Sequence, residues 1–352
     1  MDEDCISLTS YFRERQRADG MPVARALLGL YSREEVAASI LLRGVEGFGR
    51  ERQLRADRSL PLAEAPPLTA TAVGTRPGVD AVLGQTLLLT RPRLVTVEQG
   101  RLLTGDIAPV WVGEDPGEAT KLTVYLGRQD RVYQIPAFEA VCELLFRRGI
   151  SGATVLSGVD GTARGRRRRA QFLRLDADVP LMVIAVGRGD RIAVVLPELG
   201  MLFRHPVMTV EKVRICKRDG QLISRPQVRP ATGELAEMAA RLKLTIYSSE
   251  AARHDGQPVH HAIVRQLRLA GISGATTLRG MWGFRADRAP HGGHFPHPGR
   301  HVPAVTTVID TPERIAAAFD VIDELTDRRG LVTTGNVLAA EPTADDVRGL
   351  AE

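Results

Sequence analysis

The stretch "PAFEAVCELLFRRGISGATVLSGVDG", beginning at Pro136, aligns without a gap on "PVHHAIVRQLRLAGISGATTLRGMWG", beginning at Pro258. A more diverged copy, "PVARALLGLYSREEVAASILLRGVEG", begins at Pro22. Copies spaced by about the length of a small domain indicate tandem units rather than a solenoid of short repeats. A chain of 352 residues has room for three of them. In every copy the proline is followed, at the same interval, by Gly-x-x-Gly: Gly44 and Gly47, Gly158 and Gly161, Gly280 and Gly283.

The middle copy shows the element order of one unit. "KLTVYLG" from Lys121 is short and β-rich, hence a strand. Phe138, Val141, Cys142, Leu145 and Phe146 fall at i, i+3, i+4, i+7 and i+8, the apolar stripe of a helix. Pro136 stands where such a helix starts and Gly149 where it stops. "ATVLSGV" reads as a second strand, 161–178 as a polar loop and "PLMVIAV" as a third strand. "RGDRIAVVLPELGMLF" then reads as a helix and "VMTVEKVRI" as a fourth strand. The other copies supply "CISLTSYF", "PLTATAV" and "LVTVE", and "KLTIYSS", "PAVTTVI" and "LVTTGNV", as strands in the same order. The order β-α-β, loop, β-α-β predicts an α+β protein of three tandem ferredoxin-like (βαββαβ) domains. They span 1–100, 119–218 and 241–340, joined by linkers 101–118 and 219–240 and followed by a tail, 341–352.

Composition excludes several classes. The three cysteines (Cys5, Cys142 and Cys216) form no CxxC pair, which speaks against a disulfide framework and a cysteine-rich zinc site. They are expected as buried small hydrophobes. The acidic start "MDEDCISLTS" lacks a secretory layout, and no apolar run is long enough to span a bilayer, so a cytoplasmic protein is expected. A net charge of +5 suits anionic small ligands, while 5 % aromatic residues offer little stacking surface for single-stranded nucleic acid. No specific nucleic-acid binding is expected.

"KLTVYLGRQDR", "GISGAT", the Gly-x-x-Gly, "GATTLRGMWGF" and "VIDTPERIAAAFDVIDEL" together resemble the PII-like proteins of domain-of-unknown-function family 190, three times over most of the chain. The resemblance implies a sheet-lined trimer with ligand clefts between neighbouring units, each cleft carrying a long loop. It implies an adenine nucleotide as ligand, by extension from the wider PII superfamily. It also implies a regulatory role toward a protein partner, for which a membrane transporter is a candidate. Three fused copies match the subunit number of such a trimer, so the chain is expected to pack as an intramolecular pseudo-trimer. The particle is then a monomer, or an oligomer of whole three-domain units.

The candidate ligand residues follow the second strands. The glycines Gly44, Gly47, Gly158, Gly161, Gly280 and Gly283 either present backbone N–H groups to a phosphate or simply end a strand sharply. Arg43 and Arg279 precede the first glycine of their copies, where the resemblance places a phosphate-facing arginine; Ser157 replaces it in the middle copy. Asp310 also matches the family pattern, whereas Gly74 and Gly187 stand in the other copies. The run "RGRRRR", Arg164 to Arg169, includes Arg168 and Arg169, and guanidinium forks suit phosphate. A solvated loop is the alternative. "RERQLRADR" in the first copy is similarly basic.

The third loop, "HGGHFPHPGRH", carries His291, His294, His297 and His301, whose spacings could gather imidazoles around a divalent metal. The resemblance favours His291 as a ligand residue, aligned with Arg55 and with Arg168 or Arg169. His260 falls on an apolar helix position and reads as a packed or cleft-edge histidine. There is no GxxxxGK[ST], serine elbow or HExxH, so no enzyme is expected and no cofactor is required. Two other functions stay open: a metal-binding or metal-sensing protein, and a structural adaptor without ligand.

Overall fold

A computed structural model describes residues 2–56, 65–91, 93–103, 115, 117–163, 166–169, 178–203, 206–227, 239–285, 288–292, 302–326 and 330–340. The first third contains β1 (Asp2–Arg13), the short hairpin β2 (Arg17–Ala18) and β3 (Met21–Pro22), α1 (Val23–Arg33), β4 (Ala38–Phe48), β5 (Arg55–Ala56), β6 (Pro67–Thr75), α2 (Arg76–Thr90) and β7 (Val95–Leu103). The middle third contains β8 (Glu118–Gly127), β9 (Arg131–Val132), β10 (Ile135–Pro136), α3 (Ala137–Arg147), β11 (Gly152–Ser157), β12 (Asp160–Ala163) and β13 (Arg166–Arg169). It continues with β14 (Pro180–Gly187), α4 (Gly189–Leu202), β15 (Val207–Arg218) and β16 (Gln221–Leu222). The last third contains β17 (Ala239–Ser249), β18 (Arg253–His254), β19 (Gln257–Pro258), α5 (Val259–Leu269), β20 (Ala275–Arg285), β21 (Arg288–Gly292), β22 (Pro303–Asp310), α6 (Pro312–Leu325) and β23 (Leu331–Ala340).

The first helix of each third forms for one local reason. Pro22, Pro136 and Pro258 stand just before α1, α3 and α5 with φ of −57°, −55° and −56°, turning a two-residue hairpin strand into the helix. Their missing N–H groups cost nothing there. The apolar stripe then packs inward: Val23, Leu27, Leu28 and Tyr31 in α1, and Val141, Cys142 and Leu145 in α3. Each fully buried Leu contributes about 1.5–3 kcal/mol relative to exposure. The chain leaves α3 and α5 through Gly149 and Gly271, at φ +71° and +83°, in the left-handed region that glycine enters freely. Glu35 adopts φ +47° at the matching place after α1.

The expected element order is present, but the expected architecture is corrected. Three ferredoxin-like domains packed as an intramolecular pseudo-trimer would each keep a sheet of their own. Instead all the long strands belong to one 17-stranded sheet that closes on itself, a mainly β architecture with a ten-strand antiparallel barrel. Within the thirds the strands run β7-β1-β6-β4, β15-β8-β14-β11 and β23-β17-β22-β20. Both edges of each run continue into other thirds: β4 pairs β20 and β12, and β11 pairs β20. At the other edge β15 pairs β7 and β23, and β23 pairs β7. An edge strand presents unpaired N–H and C=O groups, and closure removes those edges.

A second correction concerns the loop expected at 161–178. Residues 160–163 form β12, which pairs with β4 of the first third, and the arginine run returns on it as β13. Gly161 therefore lies inside a strand.

Three apolar cores lie between helices and sheet, one per third, and each borrows from a neighbour: Leu103 and Phe284 join the middle core, Leu338 the first, Phe48 and Cys216 the last. A further cluster at the centre takes Ile40 and Leu42, Leu156, Met182 and Ile184, and Leu278 and Val305 from all three thirds. The three cysteines are buried and unpaired with one another, as expected. Among the described residues, no helix is long and apolar enough to cross a membrane.

Candidate functional site

The glycine pairs sit where one third crosses another. A Cβ at Gly47 would lie 2.5 Å from the Ala275 carbonyl oxygen, and one at Gly161 or Gly283 would run into the carbonyls of Ser39 or Ala153. Gly44, Gly158 and Gly280 face Pro67, Pro180 and Pro303, the residues that open the third strands. None of the six has a positive φ, so close backbone approach is what selects glycine here. Arg43 pairs with Glu14, its Nε 3.1 Å from Oε1, and Arg279 makes the equivalent pair with Glu250. Arg168 and Arg169 lie on β13 opposite Gly161 and Asp160; their side chains lie outside the described atoms. His291 lies on β21, its Nδ1 2.9 Å from the Ala289 carbonyl. His294, His297 and His301 lie outside the described residues, so the four-histidine loop has no described geometry.

Among the described residues, two clefts between thirds are lined by the repeated "GISG" turn. The cleft between the middle and last thirds has a volume of about 390 Å³ and brings Ser151 and Gly152 against Arg218, Asp219, Arg253, Gly283, Arg285 and His291. The cleft between the last and first thirds is larger, about 580 Å³. Both volumes lie within the range of small-molecule sites. The larger cleft places Gly271, Ile272, Ser273 and Gly274 among Arg50, Arg52, Arg93, Arg241 and Arg314, with Asp310 as the sole lining carboxylate among the described residues.

Asp310 organises this larger cleft. One carboxylate oxygen accepts the Ser273 N–H at 2.8 Å and the other accepts the Thr311 N–H at 2.9 Å. Arg314, one helical turn on, donates to Ser273 Oγ at 2.9 Å and lies 3.8 Å from the same carboxylate. Asp310 thus fixes the turn and is balanced by Arg314. Arg52 reaches across from the first third to the Gly271 carbonyl at 3.3 Å. Arg93 lies 3.1 Å from Glu51, which also receives Arg13, and Arg55 at 4.0 Å. Burial first, then the charges of Arg93 and Arg55, holds the Arg13 guanidinium below its ordinary pKa. Positive charge outweighs negative at this mouth, which suits an anion.

Of the expected ligand residues, Gly283 and His291 line the smaller cleft, while the larger is lined by Asp310, which the family pattern also marked. Arg43 and Arg279 line neither. Arg50 and Arg52 belong to the basic stretch "RERQLRADR" and were within reach of a sequence reading. Arg93, in the turn before β7, Arg241 on β17 and Arg314 on α6 come from separate places in the chain and carry no common signal.

The model of the family DUF190, described as an uncharacterized ACR, matches residues 5–102, 119–215 and 241–339. Among solved structures, a putative chlorite dismutase is 10 % identical with a TM-score of 0.19, the match covering 66 % of this chain and 98 % of that one. A mutant chlorite dismutase from Candidatus Nitrospira defluvii is 11 % identical with a TM-score of 0.20, covering 67 % and 96 %. A heme-binding protein from Thermus thermophilus is 9 % identical with a TM-score of 0.17, covering 71 % and 96 %. Likeness at this level transfers neither fold nor chemistry.

Proposed function

The chain belongs to the DUF190 family, a PII-like family, and on that premise we propose that it is a regulatory protein whose inter-repeat clefts bind an anionic small molecule, an adenine nucleotide foremost. The observation that carries the reading is the cleft between the last and first thirds, where five arginines from both thirds converge on about 580 Å³ with one lining carboxylate among the described residues. Guanidinium forks take phosphate oxygens bidentately, and the arginines here come from both walls of the cleft. Because each cleft is walled by two thirds, a ligand there favours the arrangement in which both walls are in place. That preference is what a regulatory ligand needs. The ligand state would then pass to a protein partner, a membrane transporter being the candidate, through the segments that leave the clefts.

The test is a thermal-shift series with ATP, ADP, AMP and cyclic AMP, on the intact chain and on an Arg52→Ala/Arg314→Ala variant. A ligand at a hundred times its Kd stabilises by about 2.7 kcal/mol. One nucleotide is expected to raise the melting temperature, and the variant to need at least tenfold more of it. No shift with any nucleotide at millimolar concentration overturns the reading.

A further inference from the structure

The position between the two glycines of each Gly-x-x-Gly meets the first helix of another third, and the three meetings differ. Between the middle and last thirds, Trp282 packs edge-on against Phe138, ring centroids 5.8 Å apart. Aligned with these residues, Glu46 stands in the first third and His260 in the last, followed by His261. Glu46 is 2 % exposed and His260 is 5 % exposed. The carboxylate of Glu46 and Nδ1 of His261 form an ion-pair contact, and the two imidazole rings lie 4.5 Å apart. His260 Nδ1 is buried and has no hydrogen-bond partner among the described residues.

An aromatic pair satisfies the scaffold at this position, as Phe138 and Trp282 show. A buried carboxylate beside two imidazoles is therefore not something the fold requires. It carries a desolvation cost that the contact with His261 meets only in part, and a ring nitrogen of His260 is left without a partner among the described residues. One donor atom from each of the three residues lies within 4.8 Å of the others. A cation with bonds of about 2.0–2.2 Å to His and Glu holds such donors roughly 3.3–4.3 Å apart. Small side-chain rotations therefore close the set.

We propose that Glu46, His260 and His261 form a binding site for a borderline divalent cation of the zinc class, joining the first third of the chain to the last. Two imidazoles and one carboxylate are the donors such ions take, and a three-residue set leaves a fourth position for water or a ligand atom. The residues are separate from the histidine loop at 291–301, and the site stands whether or not the arginine cleft binds a nucleotide.

The test uses the intact chain, stripped of metal with a chelator and titrated with Co²⁺ while its visible absorption is followed. The expected result is one equivalent of Co²⁺ with d–d bands that Zn²⁺ displaces. Glu46→Gln and His261→Asn should each weaken binding at least tenfold, and His260→Phe, which installs the residue found at Phe138, should abolish the bands. A His294→Asn/His297→Asn/His301→Asn variant should bind as the parent does. Since His261 is partly exposed, its replacement leaves the fold intact, which the metal-free melting temperature checks. Absence of bands at millimolar Co²⁺, bands that survive His260→Phe with His261→Asn, or bands lost in the loop variant each overturn the proposal.

Discussion

Lys243 Nζ donates to Glu98 Oε1 at 2.7 Å inside the barrel, an ion pair between the last third of the chain and the first. Lys121 of the middle third lies 3.7 Å from the other oxygen of Glu98 and also contacts Glu211. Burial opposes ionisation of Glu98, but Lys243 and Lys121 together hold its carboxyl below the usual range. Burial, with Glu98 adding to it, pushes Glu211 up.

Removing one partner of this group should be costly. Lys243→Met leaves Glu98 with Lys121 alone and is expected to destabilise by about 3 kcal/mol, in the range for breaking a buried pair. The double variant Lys243→Met/Glu98→Gln should recover most of that loss. Urea melts of the four chains in the cycle measure the coupling; equal, additive losses would show that the pair contributes nothing.

The inter-third crossings predict a steric result. Gly47→Ala puts a methyl group 2.5 Å from a backbone carbonyl of another third, an atom that cannot rotate away. A loss of about 1–3 kcal/mol is expected, as for other overpacked sites. Gly29→Ala, on α1 with open space around its Cβ, is the control and should be neutral or slightly stabilising. Denaturant midpoints of the two variants report the difference.

Glu35 offers the opposite case. It is exposed, and at φ +47° it occupies the conformation that Gly149 and Gly271 adopt after the corresponding helices. A non-glycine residue there costs about 1 kcal/mol. Glu35→Gly is therefore expected to raise the melting temperature, by up to roughly 1 kcal/mol of stability; a lowered melting temperature would show that the side chain has a compensating role.

The buried thiols predict an alkaline limit. Burial, then the charge of Glu211, pushes Cys5 up to about 12, and burial raises Cys142 and Cys216 as well. In the unfolded chain a thiol ionises near about 8.5, so above that pH the unfolded state releases protons that the native state keeps. The Cys5 contribution is complete below about pH 8.5 and is lost as pH rises toward about 12, roughly 2 kcal/mol at pH 10, and Cys142 and Cys216 act in the same direction. Urea melts at pH 7.5 and 10 should show the loss, with Cys5→Ala showing less of it. At pH 8 the folded chain should leave all three thiols slow toward a disulfide reagent.

The candidate site was legible only in pieces. "GISG" stands out as a repeat, and its turn lines both clefts. Its repetition, however, follows from helix termination and gives no ligand chemistry. Arg50 and Arg52 sit in a visibly basic stretch, whereas Arg93 in the turn before β7, Arg241 on β17 and Arg314 on α6 are single residues that only folding brings to one mouth. Arg43 and Arg279, singled out by position, are occupied with Glu14 and Glu250. Their carboxylate partners lie 29 residues away in sequence, beyond the reach of local pattern.

The sequence by itself determined the units: where each helix starts at its proline, where it stops, and which faces of helix and strand are apolar. Those are local properties, set by backbone sterics and by periods of two and 3.6 residues. Whether the thirds keep separate sheets or share one was decided only by the tertiary structure. A strand's pattern says which face is buried but not which backbone lies beside it, and hydrogen-bonding edges are alike from strand to strand. The closed barrel, the crossings at Gly47, Gly161 and Gly283, the Lys243–Glu98 pair and the meeting of Glu46 with His260 all follow from that sharing of edges.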